Sequence, residues 1–150
     1  MINQDFSDML SALSEEGVEY LLVGAYALAV HGHPRATGDI DIWVRPTPEN
    51  AGRVLRAVAR FGAPLRDLSA ADLSTPGTVF QIGVPPRRID LMTSIDAVEF
   101  DAAWTGRLQA RVGDRDVPVI GKSDLVRNKR ATGRMKDRAD LEALGEDIGP

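Results

Sequence analysis

The segment Asp39-Ile40-Asp41-Ile42-Trp43-Val44 constrains this chain more than any other. Ile40, Ile42 and Val44 alternate with Asp39, Asp41 and Trp43, the period of a β-strand whose successive side chains point to opposite faces. Asp39 and Asp41 therefore share one face. Side-by-side carboxylates repel, and burying them costs free energy unless a cation compensates. A hard divalent cation does so, because Mg2+ takes oxygen ligands from one or two carboxylates and completes its shell with phosphates and water. Two such ions can clamp the attacking and leaving oxygens of an in-line displacement. On an arbitrary sequence Asp-X-Asp more often marks the wet face of an edge strand, so the surroundings of the pair must decide.

Two surroundings bear on it. Asp90 sits between apolar neighbours in Arg88-Ile89-Asp90-Leu91-Met92, which reads as another strand. If that strand pairs beside Asp39 to Val44, three carboxylates converge, and Asp90 can hold a metal and accept a proton from a nucleophile. The alternative for Asp90 is a strand-end ion pair with Arg87 or Arg88. Upstream, Gly24-Ala25 stands where a short apolar strand, Glu19 to Val23, gives way to the alanine-rich run Ala25 to Val30. A glycine at a strand-to-helix junction lets backbone amides face an anion, and triphosphate oxygens suit that position. The alternative is a glycine that only packs the helix start against the sheet.

The remaining elements follow from periodicity and punctuation. Phe6, Met9, Leu10 and Leu13 recur at helical spacing, with Gly17 as a stop. Thr47 caps a helix that has Pro48 at its first position and runs to about Arg60. Pro64 to Gly77 is irregular, with a helical turn at Ser69 to Leu73. Val79 to Val84 and Arg88 to Met92 are strands turned by Pro85-Pro86. Leu108 to Val112 and Asp116 to Ile120 form a hairpin about Gly113-Asp114. Lys122 to Ala131 and Lys136 to Leu144 are helices separated by Gly133. The fold class is α/β in the mixed, α+β sense, with a largely antiparallel or mixed sheet flanked by helices. The 150 residues suit one domain, with its last helices at about 122–144.

Without cysteine the chain has no disulfide, zinc–thiolate site or thiol nucleophile. The polar N-terminus and the short apolar runs predict neither signal peptide nor membrane span, so a cytoplasmic location is the default. A formal net charge of −4 argues against a chain coated with nucleic acid. The basic residues nevertheless concentrate from Lys122 to Arg138, seven against two acidic ones, enough for a local basic face. Trp43 and Tyr26 are expected in the core. His31 and His33 are expected to be structural or solvated.

Val23-Gly24-Ala25, thirteen intervening residues, Asp39-Ile40-Asp41 and the later Ile89-Asp90-Leu91 together resemble the nucleotidyltransferase superfamily that includes DNA polymerase β. The stretches Val23 to Gly32 and Arg35 to Val44, with the tail Lys129 to Leu141, look like the minimal bacterial members related to the AbiEii toxins and to small antibiotic nucleotidyltransferases. The resemblance covers nearly the whole chain and implies the nucleotidyltransferase fold. It implies transfer of a nucleoside monophosphate from an NTP to a hydroxyl, with Mg2+ or Mn2+ held by Asp39, Asp41 and Asp90. It also implies a nucleotide held by Gly24, Ala25, Arg35 and Lys129, with Lys122 and Arg130 beside Lys129. One departure is that the second small residue, Gly or Ser in the family, is Ala25, which keeps the amide but lacks a hydroxyl.

Three uses compete. The first is nucleotidylation of RNA or a protein, as in a toxin–antitoxin module, with a second protomer or partner protein completing the site. The basic tail and the lack of room for an acceptor domain favour it. The second is modification of a small molecule such as an antibiotic. The third is a binding module with idle carboxylates.

Overall fold

The computed structural model describes residues 2–33 and 38–146, so the expected role of Arg35 lies outside the described residues. Asn3 accepts a hydrogen bond from the Phe6 amide and opens α1 (Gln4–Glu15), which buries Phe6, Met9, Leu10 and Leu13 on one face. The strand β1 (Tyr20–Val23) is buried along its whole length and runs without a loop into α2 (Gly24–Val30). Next comes β2 (Ile40–Val44), then α3 (Pro48–Phe61), capped by the Thr47 hydroxyl and ended by Gly62 in the left-handed region. The short α4 (Ala70–Leu73) carries a reciprocal Ser69–Asp72 capping box.

The hairpin β3 (Val79–Ile82) and β4 (Ile89–Met92) follows. A six-residue helix, α5 (Phe100–Thr105), leads to the hairpin β5 (Leu108–Val112) and β6 (Arg115–Val119), turned by Gly113-Asp114 as expected. The chain closes with α6 (Lys122–Thr132) and α7 (Met135–Ala143), separated by Gly133 in the left-handed region. Helix α5 has no counterpart in the sequence reading. It is too short for a periodic signal and has no side-chain N-cap. What holds it is tertiary: Phe100 packs edge-to-face on Trp43 at 5.0 Å, and Ala103 is buried.

One six-stranded sheet runs in the order β3-β4-β2-β1-β6-β5. The pairs β1–β2, β3–β4 and β5–β6 are antiparallel, while β2–β4 and β1–β6 are parallel, so the sheet is mixed as expected. Trp43 is buried as expected, and Tyr26 meets Phe6 edge-to-face at 5.8 Å. Asn50 ties α3 to the sheet: its amide oxygen accepts from the Glu19 N–H, and its nitrogen donates to the Glu19 and Arg45 carbonyls, at 2.8–3.0 Å. No helix of the described residues is long and apolar enough to cross a membrane.

Candidate active site

Register brings the carboxylates together. In the parallel β2–β4 pair, Ile40 stands opposite Ile89, Asp41 opposite Asp90, and Ile42 opposite Leu91. Side chains alternate identically on both strands, so the isoleucines and leucine enter the core while Asp41 and Asp90 lie side by side on the other face. Asp39, just before β2, shares that face. All three line a cleft of about 840 Å3 with Gly24, Ala25 and Lys129, so the described candidates converge on one cavity.

The electrostatics are lopsided. Asp39 and Asp90 are tied to Arg88. Its backbone N–H donates to Asp39 Oδ1 at 3.2 Å, and its Nη2 lies 3.3 Å from Asp39 Oδ2. Its Nε and Nη2 donate to the two oxygens of Asp90 at 2.9 and 3.3 Å. The ion pair considered for Asp90 therefore exists, and it includes Asp39. Asp41 makes no ion pair among the described residues. Burial first, then the charge of Asp90, push its carboxyl up to about 6; Lys136 pulls the other way, and Asp39 adds a smaller push.

Gly24 explains how Asp41 fits. With φ +67° it occupies the left-handed region, and a Cβ built there would collide with the Asp41 carboxylate. A left-handed alanine costs about 1–2 kcal/mol before any collision is counted. Gly24→Ala is expected to lower the melting temperature by several degrees and to abolish nucleotide binding, because the displaced side chain is that of Asp41. A thermal melt and a nucleotide titration check both. Gly38 is confined in a similar way against the Pro86 backbone, which seats the approach to Asp39 on the β3–β4 turn.

The C-terminal helices form the opposite wall. Lys129 lines the cleft, but its ammonium is buried between two carboxylates, 2.8 Å from Asp140 Oδ2 and 3.6 Å from Asp137 Oδ1. Asp137 also accepts from Arg134 Nε and the Thr132 hydroxyl, both at 2.7 Å. Burial would raise the Asp137 carboxyl, yet these hydrogen bonds and the charges of Arg134 and Lys129 hold it below its ordinary value. Lys122 and Arg130, expected beside Lys129, turn instead to Glu146 on a separate surface.

Sequence reasoning gave no site role to Arg134 and Lys136, which line the cleft and whose charges act on Asp41. The signal available was their place in the Gly133-Arg134-Met135-Lys136 turn. His31 is structural, with Nε2 2.9 Å from the Ile120 carbonyl oxygen.

These donors suit a hard cation in one respect and limit it in another. Asp41 and Asp90 present adjacent carboxylates, one without a counter-ion, which is chemistry that Mg2+ or Mn2+ relieves. No group of three or more His, Cys, Asp or Glu side chains among the described residues is arranged to hold a metal by itself.

No protein-family model and no curated protein matches the chain. Among solved structures, it is similar to a Thermotoga maritima protein assigned as a nucleotidyltransferase (TM-score 0.61, 18% identity, 95% of this chain and 94% of that one). It is similar to the lincosamide antibiotic adenylyltransferase LnuA with lincomycin bound (TM-score 0.63, 15% identity, 99% of each chain). It is also similar to the antibiotic-resistance factor ANT(2'')-Ia (TM-score 0.64, 17% identity, 94% of this chain and 83% of that one). By its mixed six-stranded sheet, its seven helices among the described residues and these likenesses, the chain has the nucleotidyltransferase fold.

Proposed function

We propose that this protein is a metal-dependent nucleotidyltransferase that moves a nucleoside monophosphate from an NTP to a hydroxyl acceptor and releases pyrophosphate. The observation that carries the reading is the side-by-side placement of Asp41 and Asp90, with Asp39 on the same face, on the floor of a cleft that begins at Gly24-Ala25. Asp39, Asp41 and Asp90 would hold Mg2+ or Mn2+, which would supply positive charge against the phosphate oxygens. Asp90 takes the proton of the acceptor hydroxyl. The hydroxyl oxygen bonds to the α-phosphorus as the bond to pyrophosphate breaks. Gly24 and Ala25, the first residues of α2, line the cleft where the phosphates would lie, and Ala25 offers an amide without a hydroxyl.

The acceptor reading changes with the structure. The basic tail favoured RNA or a protein. In the fold, Lys129 pairs with Asp137 and Asp140, Arg134 with Asp137, and Lys122 and Arg130 with Glu146, while Lys136 lines the cleft without an ion pair among the described residues. The similarity to LnuA, an antibiotic adenylyltransferase, extends over 99% of both chains. We therefore place a small hydroxyl-bearing molecule first and RNA or a protein partner, in a toxin–antitoxin setting, second. A non-catalytic module is the third reading.

The test is transfer from each α-phosphate-labelled NTP with Mg2+ or Mn2+. It is run against small hydroxylated acceptors, RNA and host protein, with Asp39→Asn as control. Label in a small molecule, absent in the variant, supports the first reading. Label in RNA or protein selects the second. Equal label in wild type and Asp39→Asn overturns the mechanism.

A further inference from the structure

Arg88 engages every carboxylate oxygen of two candidate metal ligands. Its backbone N–H and Nη2 take the two oxygens of Asp39, while its Nε and Nη2 take the two of Asp90. The arginine precedes Asp90 by two residues on the same strand face, and its guanidinium lies in the cleft. A planar guanidinium fork is well matched to carboxylate oxygens, and equally to phosphate oxygens.

We propose that Arg88 is a resident counter-ion that a divalent cation must displace from Asp39 and Asp90, and that the freed guanidinium then takes the phosphates of the nucleotide donor. This rests on the metal-dependent reading above and adds an order of events to it. A metal and the guanidinium draw on the same oxygens, so metal alone competes with Arg88 and binds weakly. A nucleotide brings phosphate oxygens, which give Arg88 a second partner of the chemistry it already binds. Metal and nucleotide thus favour each other through one side chain, and by linkage each tightens the other by the same factor. Asp41, the one carboxylate of the three with no ion pair among the described residues, offers the first foothold for the cation.

The experiment titrates Mn2+, by electron paramagnetic resonance of the free ion, into wild type and Arg88→Gln, with and without a non-hydrolysable NTP analogue. In wild type the analogue is expected to tighten Mn2+ binding by about tenfold or more. In Arg88→Gln, Mn2+ alone is expected to bind about tenfold more tightly than in wild type, and the analogue to add little. Mn2+ binding to Arg88→Gln that is no tighter than to wild type overturns the proposal while leaving the metal site standing. No Mn2+ binding to either protein, with or without the analogue, overturns the metal reading and this proposal with it. A readout that needs no substitution is the Arg88 Nε–H nuclear magnetic resonance signal of wild type. It is expected to shift on adding Mg2+ with the analogue, and an unmoved signal also overturns the proposal.

Discussion

Asp41→Asn is expected to abolish transfer and, in the same protein, to stabilise the metal-free fold at neutral pH. The folded carboxyl titrates at about 6, against an ordinary value of 3.8. Between those values the folded state holds more protons than the unfolded state, so stability falls as pH rises through that window and is flat above it. At pH 7.5 the whole deficit is present. One pKa unit corresponds to 1.36 kcal/mol, which sets a ceiling of roughly 3 kcal/mol, and partial solvent contact brings the expected gain to about 2 kcal/mol. For a chain of this size that is roughly 5 °C in melting temperature. The gain should shrink as the pH is lowered from 7.5 to 4, because wild-type Asp41 then becomes neutral too. Melts of both proteins in chelator across that range check the sign. Equal melting temperatures at pH 7.5 would show that the carboxylate carries no strain in the fold.

Lys129→Met has the largest expected effect on stability. Lys129, Asp137 and Asp140 are all buried, and methionine keeps the bulk while removing the charge from between the two carboxylates. Breaking a buried ion pair from one side costs about 3–5 kcal/mol, because the remaining charge stays buried. The cost falls on the α6–α7 pair, so Arg134 and Lys136 lose their position in the cleft as a consequence. Urea denaturation is expected to show this loss. Restoring charge balance by adding Asp140→Leu should recover part of it in a double-mutant cycle. If Lys129 instead reached the triphosphate directly, as the family resemblance implies, Lys129→Met would melt like wild type and lose only nucleotide affinity.

These two residues show what was legible in the sequence. Asp39 and Asp41 were readable because a strand's alternation fixes which side chains share a face, and the apolar neighbours say which face is wet. Asp90 required a second strand in register, and the identical apolar–acidic–apolar pattern of Ile89-Asp90-Leu91 supplied it. The start of the helix over Pro48–Phe61 was readable from Thr47 and Pro48, and its end falls one residue past the expected Arg60.

What could not be read depends on contacts across the chain. The partners of Lys129 lie eight and eleven residues later on another helix, and no local pattern says whether a lysine in a basic run faces solvent or a buried pair of aspartates. The grip of Arg88 on Asp39 joins the residue before β4 to the residue before β2. Helix α5 exists because Phe100 reaches Trp43.

The measurement that bears most directly on the central claim is a thermal shift with each of the four NTPs, with and without Mg2+ or Mn2+. It is run on wild type and on the Asp39→Asn/Asp41→Asn double variant. A ligand bound only by the folded state, at a hundred times its Kd, adds about 2.7 kcal/mol, a readily measured shift. A metal-dependent shift is expected with at least one nucleotide in wild type and none in the variant. A nucleotide shift of equal size in both proteins, or no shift with any nucleotide and metal, would contradict it.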